Sequence, residues 1–482
     1  MNRKMVFYTT GKILIIEGLL LLLPLFVSII YGESSWLSFA IAITAAFAAG
    51  TLMSLVSKPK STVIYAKEGF AIVALAWIVM SLIGALPFVI SREIPDFVDA
   101  FFETVSGLTT TGASIVTDYS GLSHGIMFWR SFTHWIGGMG VLVFMMAIVP
   151  SVTDRSIHII RAEMPGPIIG KLVPRAKDTA KILYLIYIVM TAVEIVFLLA
   201  GGMPLFESAV YSFGTAGTGG LAVGSAGISA YSPYIQWVIC IFMLLFGINF
   251  NLYYLVLIKR FRAAIKSTEL WFYITIVAVA SLIIGINIYH IYGNISDTIR
   301  TSVFQVSSLI TTTGYSTANF DLWPDLSKGV IFALLFMGGC AGSTAGGLKL
   351  SRVIILLKMI RGEIRHLLHP RSVNAIKFEG KVIDDETKSS VSTYFIMYCM
   401  CIATTFLLIS FEPFGFETNL TAAATCFNNV GPGLAGVGPA SSFAAYSAFS
   451  KIVLAFSMLL GRLEVFPVII AMTPSTWRGK SL

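Results

Sequence analysis

Four short glycine-centred loops constrain what this chain can fold into more than any other feature of its 482 residues. The first is ETVSGLTTTGAS, residues 103–114. Similar loops return at Gly219 (FGTAGTGGLAVG), Gly314 (SSLITTTGYST) and Gly431 (CFNNVGPGLAG), roughly 100 residues apart each time. Such spacing reads as four copies of one unit, and repeats decide an architecture before any local signal does. In each copy an apolar run precedes a short amphipathic stretch, then the loop, then a second apolar run. The pattern predicts helix, half-helix, loop, helix.

What surrounds the loops is hydrocarbon. Hydrophobic residues make up 56% of the chain, charged ones only 12%, and mean hydropathy is +0.83, whereas soluble domains carry about a quarter charged residues. Irregular backbone in a bilayer leaves its N–H and C=O groups unsatisfied, so it persists only inside protein or beside water. Four such loops around one axis would make a ring of carbonyl oxygens, which can replace the hydration shell of a monovalent cation.

Net charge is +8, but its distribution points to membrane orientation and away from nucleic acid. With the first terminus assigned to the cytoplasm, the 33 Lys and Arg fall on that side apart from Arg92, Arg300 and Lys328 in outer loops and Arg130, Lys451 and Arg462 on helices. Arg3, Lys4 and Lys12 flank the apolar run 13–30; with no small-residue cleavage site and a second span close behind, an uncleaved helix is expected. The outer loops hold Glu33, Glu93, Asp96, Asp99, Asp118, Asp297, Asp321, Asp325, Glu412 and Glu417. These acids either form a vestibule that concentrates cations or simply escape the positive-inside bias. Cys240, Cys340, Cys399, Cys401 and Cys426 lack metal-ligand spacing and read as packing residues.

The TTTG and NNVGPG loops, the fourfold repeat and the run FWRSFTHWIGGMG resemble the Trk/Ktr/HKT superfamily of potassium transporters; chain length and an extra N-terminal helix pair resemble its TrkH-type membrane subunit. The resemblance covers residues 11–472. It implies an all-α polytopic membrane protein of about ten transmembrane helices, with four helix/pore-loop/helix units around one ion pore. The implied divisions are 1–66, a two-helix prefix; 67–150, the first unit; 151–266, a cytoplasmic loop and the second unit; 267–390, the third unit with a basic cytoplasmic segment; and 391–482, the fourth.

On this reading the ion contacts are Thr110, Thr111 and Gly112; Gly217, Thr218 and Gly219; Thr312, Thr313 and Gly314; and Asn429, Val430 and Gly431. Family members with serine in place of the first glycine tend toward sodium, so an intact Gly112 implies a potassium preference. A single filter glycine per loop implies a short filter that passes some Rb and Na. Potassium is the expected cargo, with no organic cofactor on this chain. The resemblance further implies a homodimer among membrane lipids, in a bacterial cytoplasmic (inner) membrane, N-terminus inside. Its regulatory partner is a separate, TrkA-like nucleotide-binding subunit, because no GxGxxG with strand and helix occurs here.

Other features lie below the filter or on the flanking helices. The run GGCAGSTAGG, residues 338–347, should not stay helical, since each Gly costs a helix about 1 kcal/mol relative to Ala. A small-residue packing face would recur every fourth residue, whereas here every residue is small. The resemblance makes this run an intramembrane gating loop with Gly338, Gly339, Gly342, Gly346 and Gly347 as its flexible points. Arg462 is expected about 28 Å along a helix starting near Phe443, at 1.5 Å per residue, where a guanidinium would oppose a passing cation. Physics alone favours a buried ion pair with Glu464 or Glu194; the resemblance favours a gating role.

Arg130 is expected to snorkel or to tie down a loop, and Gly137, Gly138 and Gly140 to allow close helix packing. Glu207 suits a half-helix N-terminus, and Asn249 and Asn251 are expected to hydrogen-bond across helices. The basic segment 361–390 is read as a hairpin meeting lipid head groups or a cytoplasmic partner. An alternative mechanism on the same fold is a proton- or sodium-coupled potassium symporter using Glu194 or Glu464. An enzyme is not expected: the chain has no HExxH, no paired intramembrane aspartates and no nucleophile with a base at helical spacing.

Overall fold

The computed structural model describes residues 1–59, 64–119, 121–140, 176–221, 223–224, 227–371 and 375–477. The basic loop at 151–175, the end of the first inner helix, Arg478 and Lys480 lie outside the described residues. The regular structure described is helical apart from a two-stranded antiparallel hairpin, Lys377–Phe378 with Lys381–Val382, and an isolated bridge between Met337 and Leu348. That hairpin sits in the basic segment, following a helix that runs on to Leu368.

The prefix is α1 (Arg3–Leu20), which continues into α2 (Leu22–Ile30), and α3 (Trp36–Val56). α1 and α3 cross at glycine: a Cβ on Gly11 would lie 2.7 Å from the Gly50 carbonyl oxygen, and one on Gly50 the same distance from that of Gly11. Without a hydrophobic drive in lipid, such close backbone approach is what holds helices together. The first unit follows as α4 (Ala66–Gly84), α5 (Leu86–Ile90), the half-helix α6 (Phe97–Leu108) and the inner helix α7 (His124–Gly138). The second is α8 (Ala176–Ala200), half-helix α9 (Leu205–Gly217), and α10 (Pro233–Phe246) with α11 (Phe250–Leu257); short α12 (Phe261–Ile265) links onward. The third is α13 (Thr268–Tyr292), half-helix α14 (Ile295–Ile310), α15 (Asp325–Leu335) and α16 (Leu350–Leu368). The fourth is α17 (Asp385–Ile409), half-helix α18 (Phe416–Asn428), α19 (Ala448–Arg462) and α20 (Phe466–Met472), before a last turn, α21 (Pro474–Trp477).

Among the described residues six helices are long and apolar enough to cross a membrane, or eight if each bent pair counts as one span. α7 and the pair α15 and α16 follow the loops of the first and third units without meeting that length and hydropathy among the described residues. Exposed Leu185, Ile286 and Leu407 belong to the apolar outer face that such helices present to lipid. One core joins the prefix, the first unit and the fourth through Phe39, Trp77, Phe102, Trp129, Leu454 and Met458.

Two helix breaks escape the sequence pattern, which anticipates one only in the third unit. α10 and α11 bend by 89° and α19 and α20 by 117°. At the first, Asn249 accepts a hydrogen bond from the Asn251 backbone N–H and so caps the new helix, rather than bonding across helices as expected. At the second, Glu464 and Val465 adopt positive φ of 56° and 65°, and Pro467 enters the first turn of α20. The inner helix also starts at Ala448 rather than near Phe443. Arg462 therefore lies about 21 Å along it, at its last residue.

The outer acids mostly build helix starts. Asp96 accepts from Val98 N and Asp99 N at the head of α6, and Glu33 accepts from the His124 and Gly125 N–H groups at the head of α7. Partial burial raises the Glu33 carboxyl, but those N–H groups and the His124 ring outweigh it and hold it below the usual range. Asp99 pairs with Lys451 at 2.5 Å, and Glu412 accepts from Ser447.

Candidate ion pathway

All four half-helices end the same way. Thr110, Thr218, Thr312 and Asn429 sit in the left-handed region at φ 57°, 55°, 56° and 54°. The next N–H, of Thr111, Gly219, Thr313 or Val430, reaches back to the carbonyl of Ser106, Gly214, Ser308 or Thr425 at 2.8, 2.9, 2.8 and 3.0 Å. A non-glycine residue held there costs of order 1–3 kcal/mol, and such strain gathers at functional sites. The third residue is Gly112, Gly314 or Gly431 at φ 77°, 85° and 98°, a conformation that glycine adopts freely.

This register corrects the sequence reading of the second unit by one residue. Thr218 matches Thr110, so Gly220, rather than Gly219, stands in line with Gly112. Gly217 ends the half-helix, packed so closely on α7 that a Cβ would lie 2.3 Å from the His134 carbonyl oxygen. The double glycine after Thr218 hides the frame in the sequence; the hydrogen bonds fix it.

The loops close into a ring in chain order. A Cβ on Gly112 would lie 3.0 Å from Gly220 N, and Gly220 N–H donates to the Thr313 carbonyl. A Cβ on Gly314 would lie 2.3 Å from the Val430 carbonyl oxygen. Asn429 Nδ2 donates to Thr111 Oγ1 at 2.9 Å, which joins the fourth loop to the first. Above the ring opens a cavity of about 340 Å³, lined by Gly112, Gly220, Gly314 and Gly431. No Asp or Glu among the described residues lines it, so the vestibule-acid expectation finds no support at the mouth.

Behind the first loop, Arg130 pairs with Glu103 at 2.6 Å, the two side chains being 2% and 0% exposed. Glu103 also accepts from Ser114 Oγ and Ile115 N. Arg130 thus ties down the segment after the filter and does not snorkel. The third unit repeats the arrangement without charge: Gln305, also seven residues before the left-handed threonine, accepts from Ser316 Oγ at 3.2 Å. In the second unit Glu207, in the first turn of α9, accepts from the Tyr231 hydroxyl.

Below the ring, residues 336–349 break the helix between α15 and α16 at the glycine-rich run. Every part of this loop is held. Gly338 N donates to Leu348 O, Leu350 N to Gly339 O, and Phe250 N to Gly342 O. Gly346 N–H donates to Thr312 Oγ1 at 2.7 Å, directly linking loop and ring. Gly342 and Gly347 take positive φ of 73° and 66°. Glu269, at the start of α13, accepts from both Ala341 N and Ser351 N, while Glu379 of the 377–382 hairpin accepts from Ser267 Oγ and Glu269 N.

Arg462 Nη1 donates to the Thr344 carbonyl at 2.9 Å, and Nη2 to those of Gly137 and Gly138 at 2.5 and 2.8 Å. It spans from the loop to the end of α7. Glu464 is engaged elsewhere, in a two-pronged pair with Arg352 at 2.8 and 2.7 Å. Lys349, which the sequence places in the cytoplasmic segment, is buried, and its ammonium donates to the Ala345 carbonyl. An ionisable residue two positions beyond a glycine run at membrane depth was the available signal. Together with Gly346 and Gly461, Arg462 and Lys349 line a cavity of only about 30 Å³, room for little more than a water molecule. Glu194 is fully buried, with the Thr215 hydroxyl beside its carboxyl.

Four loops that share one left-handed turn, with a cavity on one side and a hydrogen-bonded glycine-rich loop on the other, define a polytopic membrane protein of fourfold pore-loop design. A sequence model of TrkH, described as a cation transport protein, matches residues 37–478, and the chain belongs to that family. It is 34% identical over 477 residues to the Trk system potassium uptake protein TrkH of Salmonella typhimurium, covering 97% of this chain and 98% of that one. It is 33% identical over 483 residues to TrkG of Escherichia coli, covering 99% of each. The crystal structure of the potassium transporter TrkH from Vibrio parahaemolyticus superposes with a TM-score of 0.90 at 30% identity, over 99% of this chain and 100% of that one. The family is one of transporters, not enzymes.

Proposed function

We propose that this chain takes up potassium across the cell membrane through a channel-like filter of Thr110–Gly112, Thr218–Gly220, Thr312–Gly314 and Asn429–Gly431. The observation that carries the reading is the left-handed residue shared by all four loops, whose third residues line one mouth. Half-helix C-termini directed at the same axis favour a cation there. The loop at 336–349 and Arg462 act as the gate. In this reading the protein is a homodimer in the bacterial inner membrane, N-terminus inside, controlled by a separate cytoplasmic nucleotide-binding subunit that meets the hairpin face. The relatives' names as potassium uptake proteins support the choice of ion.

Purified chain in liposomes, given imposed gradients of potassium, sodium and pH, tests this. Flux that follows the potassium gradient alone is expected. Flux reversed by a proton or sodium gradient would instead make the chain a symporter, a second reading kept in view by the fully buried Glu194 carboxyl. Glu464 is a weaker coupling site because Arg352 already holds it.

Selectivity gives a sharper test. At Gly112, φ is +77° and a Cβ would press on Gly220 N at 3.0 Å, so Gly112→Ser should displace the carbonyls of the first loop and raise sodium permeation relative to potassium about tenfold, or about 1.4 kcal/mol. An unchanged ratio, from bi-ionic flux measurements, removes the filter assignment.

A further inference from the structure

The left-handed residue at the base of each loop presents one side-chain oxygen, and the four oxygens are used differently. Thr110 Oγ1 and Asn429 Oδ1 are fully buried with no hydrogen-bond partner among the described residues. Thr218 Oγ1 turns to its own neighbour, the Gly217 carbonyl, at 2.6 Å. Thr312 Oγ1 receives the Gly346 N–H of the loop below. A buried oxygen left unpaired costs about 1–3 kcal/mol, so two at matching positions of one ring mark a place kept for a ligand.

We propose, resting on the filter reading above, that potassium at this lowest ring and closure of the loop below exclude each other, because the closed loop aims the Gly346 N–H at the Thr312 hydroxyl oxygen that would face the ion. A threonine oxygen has two acceptor lone pairs. When Gly346 takes one, the positive end of an amide dipole points at the oxygen that would coordinate the ion. Cation and amide therefore repel each other there. The approach is close enough to be specific: a Cβ on Gly346 would lie 2.7 Å from the Asn428 carbonyl oxygen.

Withdrawal of the loop frees the Thr312 hydroxyl to join Thr110 and Asn429, so gate opening and completion of the ion site are one event. By linkage, whatever factor opening adds to potassium affinity at this ring, potassium adds to the opening equilibrium. Permeant ion is then itself an opener, acting before any partner subunit does.

Hydrogen exchange read by mass spectrometry on the 338–347 peptide, in nanodiscs, tests this in potassium chloride against choline chloride at equal ionic strength. Wild type and Thr312→Ser, which keeps the hydroxyl, should exchange about tenfold faster in potassium. Thr312→Val should exchange fast in both salts. Thr110→Val, whose oxygen has no bond to the loop, should stay protected in choline and so separates loss of the latch from general loosening; size-exclusion profiles identify any variant that has not folded. Equal exchange of wild type in the two salts, or a Thr312→Val protein still responsive to potassium, overturns the proposal. The Gly112→Ser selectivity measurement run alongside tells the two readings apart: a changed ratio with unresponsive exchange removes only the coupling, and an unchanged ratio removes the filter itself.

Discussion

Arg462→Gln should raise potassium flux through the purified chain by about thirtyfold, with the fold intact. Three carbonyl oxygens, of Thr344, Gly137 and Gly138, converge on this guanidinium. Hydrogen bonds from a charged donor are worth about 1.5–3 kcal/mol each, and they do not add fully because the same oxygens gain water once the loop moves. A net loss of about 2 kcal/mol of loop-holding free energy is a factor of about thirty in its open population. The substitution also takes a positive charge from the path of a cation just below the ring, which acts in the same direction. Arg462→Lys keeps the charge and loses the planar fork, so it should give an intermediate rise. If Arg462→Gln conducts no faster than wild type while still monodisperse and thermally stable, the guanidinium is a structural brace between α7 and the loop, and closure must be sought elsewhere.

Much of this arrangement was legible in the sequence because repeats and glycine carry conformational information. The TTTG loops located two of the four turns to the residue, and an unbroken run of small residues at 338–347 located the helix break in the third unit. The second loop was misread by one position, since in GTGG either glycine satisfies the pattern and only the bond from Gly219 N to Gly214 O selects the frame. Partners of buried charges were hardest to foresee. Arg462 and Glu464 stand two apart in the chain, yet the helix ends between them, so one turns to the loop and the other to Arg352. Glu269 and Lys349 passed unnoticed as ordinary residues at helix ends; their roles depend on where a loop from elsewhere in the chain comes to rest. Outer acids were visible, but whether they faced the mouth or capped helices is a matter of packing that composition does not record.

Stability should depend most on the Arg130 and Glu103 pair. Arg130→Leu removes the one positive group, among the described residues, bonded to a carboxylate that is fully buried and also holds Ser114 and Ile115. Leaving a buried charge uncompensated costs about 3–5 kcal/mol, a large part of the roughly 5–15 kcal/mol by which proteins are stable. The single variant is expected to lose most of its monodisperse yield and to melt well below wild type. The companion change follows from the third unit, where Gln305 anchors Ser316 with no charge at all. Glu103→Gln added to Arg130→Leu should therefore recover most of the stability, since the amide still accepts from Ser114 and nothing ionised remains buried. Thermal midpoints of the two single variants and the double, measured in one detergent, isolate the pair. Recovery in the double identifies the penalty as an unpaired charge. If Arg130→Leu is already as stable as wild type, the first loop is held by its left-handed turn and its neighbours in the ring, and the buried ion pair serves conduction: the double variant should then keep its melting temperature but lose selectivity.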